Sequence, residues 1–282
     1  MKNIRIIARL DIKGPDLVKG IHLEGLRVLG KPKDFARFYY ENGADELMYQ
    51  DVVASLYGRN SLHSMITATA QEAFIPLTVG GGIRSIDDIK NVLRAGADKV
   101  CINSAALKDP EIIRRASEMF GSSTIVASIE AAHVGEGKYV ACSDNGREES
   151  QRDVFEWAEQ MAFLGAGELL ITSIEKEGTG EGFDVELVKK ISSSLTIPVI
   201  AHGGAGSSAD VAEVIVKGKA DAVAIAGMFH YSALKELVAS VDEHEGNVEF
   251  IRQGIQVKAY KNAASVKELK KYLSAKGIRC RI

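Results

Sequence analysis

The sequence predicts an α/β fold, one (β/α)8 TIM barrel spanning residues 1–282 and made of two related half-barrels, on three observations. Eight short apolar runs alternate with amphipathic stretches along the 282 residues. Most of those runs lack strict polar alternation, as strands covered on both faces do. The third observation is internal repetition: PLTVGGGIRSIDDIKNVLRAGADKVCINSAAL at 76–107 and PVIAHGGAGSSADVAEVIVKGKADAVAIAGMF at 198–229 share a pattern about 122 residues apart.

The elements follow in order. Strands are expected near 4–10, 45–51, 75–79, 98–103, 123–130, 167–173, 197–201 and 220–226, each rich in Ile, Val, Leu and Ala. Helices fit between them, for example DIKNVLRAGA and DVAEVIVKGKA, with Gly96 and Gly218 where C-terminal caps belong. The repeat extends beyond the glycine loops. Gly43-Ala44-Asp45-Glu46 matches Gly165-Ala166-Gly167-Glu168, and IIARLD ending at Asp11 loosely matches IVASIE ending at Glu130.

Composition narrows the setting. The net charge is −3 and no basic cluster is interleaved with aromatics, which argues against a nucleic-acid partner. Three cysteines with no CxxC pair suit reduced thiols in a cytoplasmic protein. No leader or membrane-length apolar run is seen, and the six histidines lack metal-ligand spacing, so neither a membrane nor a metal or other cofactor is expected.

Active sites of such barrels stand at the C-terminal ends of the strands. The residues expected there are Asp11, Asp51, Gly80-Gly81-Gly82, Asn103-Ser104, Glu130, Thr172-Ser173 with Glu177-Gly178-Thr179, His202-Gly203-Gly204, and Gly227. Strand, glycines and then a helix start point backbone N–H groups at an anion, although a tight turn reads the same way. The repeat favours two anion cradles: Gly81, Gly82, Asn103 and Ser104 for one phosphate, and Gly178, Gly203, Gly204, Ala226 and Gly227 for another. A substrate with a phosphate at each end would then lie over Asp11 and Glu130. Two separated carboxylates suit one proton donor and one acceptor if their surroundings split their pKa values, whereas a purely structural pair would only cap loop starts.

The runs IIARLDIKG, LVKG, ADELMYQDVVAS, PLTVGGGIRS, GADKVCINSAA, GAGELLITSIEKEGT and IPVIAHGGAG strongly resemble the cyclase subunit of imidazole glycerol phosphate synthase, a histidine-biosynthesis barrel. The likeness runs from about residue 3 to 230 and resumes over KELKKYLSAKGIRCRI. It implies a heterodimer with a class I glutaminase that supplies ammonia. A bisphosphorylated aminoimidazole ribonucleotide would give imidazole glycerol phosphate and aminoimidazole carboxamide ribotide. The family's catalytic aspartates fall at Asp11 and at position 130. Its loop lysine falls at Lys19, in a mobile loop from Lys13 to about Gly30. Arg5, Glu46, Lys99 and Glu168, which by themselves read as a solvated rim at strand starts, match the family's salt-bridged ammonia gate.

The chain departs from the family pattern at four residues and in one insertion. Glu130 and Glu177 replace aspartates, and Arg9 and His202 replace small residues. One extra methylene moves a carboxyl by more than an ångström, a misplacement that can cost about a hundredfold in rate. Residues 231–264 form an insertion before the last helix, beside the second cradle; SALKELVASV has helical spacing, and EFIRQGIQVKAY fits a strand or a helix. These departures suit an alternative in which a cyclase-like paralogue channels ammonia to a sugar amidotransferase of surface-polysaccharide synthesis. The retained Asp11, Lys19, Asp51 and paired cradles suit the cyclase.

Overall fold

The computed structural model describes residues 2–54, 62–237, 260 and 262–281. The chain begins with β1 (Arg5–Lys13), the hairpin β2 (Asp16–Ile21) and β3 (Glu24–Gly30), and α1 (Pro32–Glu41). There follow β4 (Glu46–Asp51), α2 (His63–Ala70), β5 (Leu77–Gly80), α3 (Ile86–Arg94), β6 (Lys99–Ile102), α4 (Ser104–Lys108) and α5 (Glu111–Phe120). The second half holds β7 (Ile125–Gly135), β8 (Lys138–Ser143), β9 (Glu148–Asp153), α6 (Val154–Phe163), β10 (Glu168–Ser173) and α7 (Val185–Ser194). It ends with β11 (Val199–His202), α8 (Ser208–Val216), β12 (Ala222–Ile225), α9 (Gly227–Leu237) and α10 (Val266–Ala275).

Eight of the strands pair in parallel as β1–β4–β5–β6–β7–β10–β11–β12 and back to β1, so the expected barrel closes. Each expected strand is present within a few residues of its forecast position. In an eight-membered ring, β1 faces β7 and β5 faces β11 across the axis. The two ends of each repeat therefore meet over the same mouth.

Local chemistry explains why the repeated motifs fold alike. In these Ala-Asp turns the aspartate accepts an N–H at the start of a neighbouring strand: Asp45 from Ile6, Asp98 from Leu77 and Asp221 from Val199, each at 2.8 Å. Ser85 with Asp88 and Ser207 with Asp210 form matching capping boxes on α3 and α8. The cap expected at Gly218 differs. Lys219 takes the left-handed conformation instead, at φ +58°, while a Cβ on Gly218 would stand 2.5 Å from the Val214 carbonyl. Gly218 is glycine for want of space.

Inside the barrel, residues two apart on a strand point the same way, which stacks the interior in layers. Ile7, Met48, Cys101, Val126, Leu170, Ile200, Ala222 and Ala224 form an apolar cluster of their own, distinct from the larger core of strands and surrounding helices. Charged residues lie on either side of that cluster along the strands, Arg5 below it and Arg9 above it on β1.

Two hairpins correct the sequence-based reading. The stretch from Lys13 to Gly30, expected as a loop, is the β2–β3 ladder, with β2 pairing on the end of β1. The fifth barrel strand, expected to end at Glu130, continues to Gly135 and turns into the β7–β8–β9 meander. The insertion begins inside α9, which covers SALKEL; the remainder of SALKELVASV and nearly all of EFIRQGIQVKAY lie outside the described residues, Tyr260 excepted.

Candidate active site at the barrel mouth

Asp11 and Glu130 sit at the upper ends of the facing strands β1 and β7, both buried. Their surroundings differ. Asp11 Oδ1 accepts the Arg9 Nε–H at 2.9 Å, and its Oδ2 is 3.8 Å from Lys19 Nζ. Burial alone would raise the Asp11 pKa, but Arg9, then Lys19, overcome it and hold the carboxyl at about 2. Among the described residues Glu130 accepts only the Gly146 N–H, at 2.8 Å, and burial pushes its pKa up to about 7 against that bond and the more distant Arg9. One carboxylate is ionised throughout the neutral range; the other exchanges its proton within it.

A buried polar chain runs from this pair to the hairpin. Arg9 lies 3.4 Å from His202 Nδ1, which also meets Thr172 Oγ1 at 3.3 Å, and burial followed by Arg9 keeps His202 well below its usual range and neutral. Lys19, carried over the mouth by β2, donates to Glu177. Glu177 in turn accepts the Leu23 N–H at 3.0 Å through Oε2, and its backbone carbonyl accepts the His22 N–H at 2.9 Å. The hairpin tip is therefore tied to the loop after β10, and Asn145 secures it from the β8–β9 turn by donating to the Leu23 carbonyl at 2.8 Å.

The glycine loops separate into two spaces. The four residues expected for the first cradle, Gly81, Gly82, Asn103 and Ser104, line a cavity of about 340 Å³ together with Asp51 and Glu130. Gly81 sits at φ +93° with a would-be Cβ 2.2 Å from the Asp51 carbonyl, and its repeat partner Gly203 sits at φ +96°. Backbone packing thus requires glycine there before any ligand does. Gly178, Gly203, Gly204, Ala226 and Gly227 line the second space with Lys19, Glu177, His202 and Tyr260, but it holds only about 10 Å³. Tyr260 closes it: its hydroxyl donates to the Gly178 carbonyl at 3.1 Å, and a Cβ on Gly227 would lie 2.2 Å from the Tyr260 hydroxyl oxygen. Thr179 does not line either space. Its hydroxyl bonds to the Lys176 carbonyl within its own turn.

Comparison with known proteins joins this geometry to a family. The model of a histidine biosynthesis protein family matches residues 5–235. The chain belongs to that family. Among curated members, it is 57% identical over 206 residues, 73% of this chain and 97% of the relative, to the imidazole glycerol phosphate synthase subunit HisF of Legionella pneumophila. It is 44% identical over 245 residues, 87% of this chain and 97% of the relative, to the subunit of the same name from Bacillus cereus strain G9842.

At the opposite end of this family barrel, the four charged residues at strand starts form a closed ring rather than a solvated rim. Arg5 donates to Glu46 and Glu168 at 2.8 Å each, and Lys99 donates to the same two carboxylates at 3.0 Å each. Thr78 adds a hydrogen bond to Glu46 at 2.5 Å. Sequence reasoning missed Arg84 and Lys108, two cations that line the first cavity, and Tyr260 at the second. Arg84 stands two residues after the glycine triplet, where a basic residue beside an anion loop is a usable signal. Tyr260 had none, because only the folded chain brings it to Gly227.

Proposed function

We propose that the chain is the cyclase subunit of an imidazole glycerol phosphate synthase. It takes ammonia from a glutaminase subunit and joins it to a bisphosphorylated aminoimidazole ribonucleotide, releasing imidazole glycerol phosphate and aminoimidazole carboxamide ribotide. The observation that carries the reading is the unequal carboxylate pair: Asp11 ionised and Glu130 near neutrality, facing each other across one mouth. In that role Asp11 accepts a proton from the reacting substrate and Glu130 delivers one, the division of labour that two carboxylates of split proton affinity support.

The remaining residues take roles by position. Gly81, Gly82, Asn103 and Ser104, with the cations Arg84 and Lys108 nearby, bind one phosphate, in the cavity that Asp51 and Glu130 also line. Gly178, Gly203, Gly204, Ala226 and Gly227 receive the other phosphate. Lys19 covers the substrate from the hairpin, Glu177 holds Lys19, and Thr172 orients His202. The ring of Arg5, Glu46, Lys99 and Glu168 is the ammonia entrance, at the end of the barrel away from the phosphates. Both relatives named above bear the synthase's name, and neither name speaks of sugar amidation.

The test is turnover of the bisphosphorylated ribonucleotide with a high concentration of ammonium salt, which bypasses the glutaminase. Wild-type protein forms both products, and Asp11→Asn lowers kcat by roughly a hundredfold or more, the scale of a lost general base. A folded wild-type protein that leaves the substrate untouched overturns the reading.

A further inference from the structure

We propose that Arg9 is a positioning residue that fixes the Asp11 carboxylate in the barrel mouth. Its catalytic meaning rests on the cyclase reading, but its physical content does not. Arg9 and Asp11 are two apart on β1, so both project into the barrel, and their contact is sealed: each side chain is 4% exposed. The guanidinium grips Oδ1 through Nε and reaches His202 with its far nitrogen, which sets the direction of the carboxylate from below. Below Arg9 on β1 lies Ile7, in an apolar cluster with Met48 and Leu170 that offers Asp11 no polar partner.

Other charged groups face Asp11, and none substitutes for Arg9. Lys19 on β2 is 3.8 Å from the second oxygen and is already engaged by Glu177 from the loop after β10. Glu130 on β7 repels. His202 on β11 is neutral, His230 on α9 is held neutral by burial, and the Tyr260 phenol is kept protonated. Lys19 also arrives on a hairpin attached at one edge of the barrel, whereas Arg9 is part of the barrel wall. The cation that stays with Asp11 is Arg9. Without it a dry carboxylate would regain protons, as burial dictates.

The experiment compares wild type, Arg9→Gln and Arg9→Lys by two readouts. The first is a carbon-detected NMR titration of carboxylate signals in the folded protein, with the Asp11 signal identified by its loss in Asp11→Asn. Arg9→Gln is expected to raise the proton affinity of Asp11 at least tenfold, and Arg9→Lys to restore most of the difference. The second is the pH profile of ammonium-driven turnover: in Arg9→Gln the acidic limb of kcat moves up by the same factor, while KM for the ribonucleotide stays within about twofold. An Asp11 titration unmoved in Arg9→Gln overturns the inference, as does a kcat that rises at every pH, which would mean that Arg9 restrains Asp11. Absence of wild-type turnover with a shifted titration would overturn only the cyclase reading and leave the Arg9–Asp11 coupling established.

Discussion

Burial raises the proton affinity of both mouth carboxylates, but among the described residues only Asp11 has a guanidinium in contact, and that contact, with Lys19 beyond it, holds Asp11 at about 2 while Glu130 titrates at about 7. The consequence reaches folding as well as catalysis. Glu130 titrates at about 7 folded against 4.5 as an ordinary glutamate, so between those values the folded state binds more protons than the unfolded one. Stability contributed by that proton is complete below about pH 4.5 and is lost as pH rises through about 7. Glu130→Gln, which keeps an acceptor for the Gly146 N–H, is therefore expected to be more stable than wild type at pH 8, by up to about 3 kcal/mol, and nearly equal at pH 4. Denaturant unfolding at the two pH values measures this, and the same difference at both would disprove it. At this scale the sequence already displayed the polar groups at strand ends. It could not display the split, because proton affinity depends on the depth and partners that only the closed mouth provides.

The β2–β3 hairpin is the element that sequence reading missed and the site depends on. Its tip residues His22 and Leu23 both have positive φ, +53° and +63°, without the Asn-Gly pattern that usually announces such a turn. What holds the tip is tertiary: Glu177 takes the Leu23 N–H and the Lys19 ammonium, and Leu23 is buried beside Gly146. The longer side chain of glutamate at position 177 spans both contacts. Glu177→Ala would strand a buried ammonium and a backbone N–H, at a cost of roughly 3–5 kcal/mol to the docked hairpin. Limited proteolysis should then cut within residues 16–30 well before the barrel unfolds, and an unchanged cleavage rate would refute the tether. The β8–β9 hairpin was more legible. Asp144 and Asn145 at φ +52° and +62°, followed by Gly146, follow standard turn chemistry, but the strand EESQRD has no apolar face to mark it.

For the whole molecule, the repeat was readable because each half solves the same packing problem with the same residues. The aspartate on the neighbouring strand's first N–H and the serine–aspartate capping box recur with matching geometry, and such short-range rules leave a trace in sequence. The charged ring below was visible only as four charges at strand starts, since their mutual contacts span up to 163 positions of chain. Glu46 bonds Arg5, Lys99 and Thr78 and is 1% exposed. Glu46→Ala should cost about 3 kcal/mol, read as a fall in the unfolding midpoint, because it leaves two cations sharing Glu168 alone. A loss below about 0.5 kcal/mol would return these charges to an ordinary surface role.

Tyr260 gives the second glycine cradle an occupant of its own, in van der Waals contact with nothing left over for a phosphate beyond about one water's room. Any anion entering that cradle competes with the chain itself. The measured dissociation constant would be the intrinsic one divided by the fraction of molecules whose ring is withdrawn, so a tyrosine seated ninety-nine times in a hundred weakens binding about a hundredfold without touching the ligand. On the cyclase reading, the Tyr260 ring would then act as a set-point on the substrate concentration at which the barrel fills.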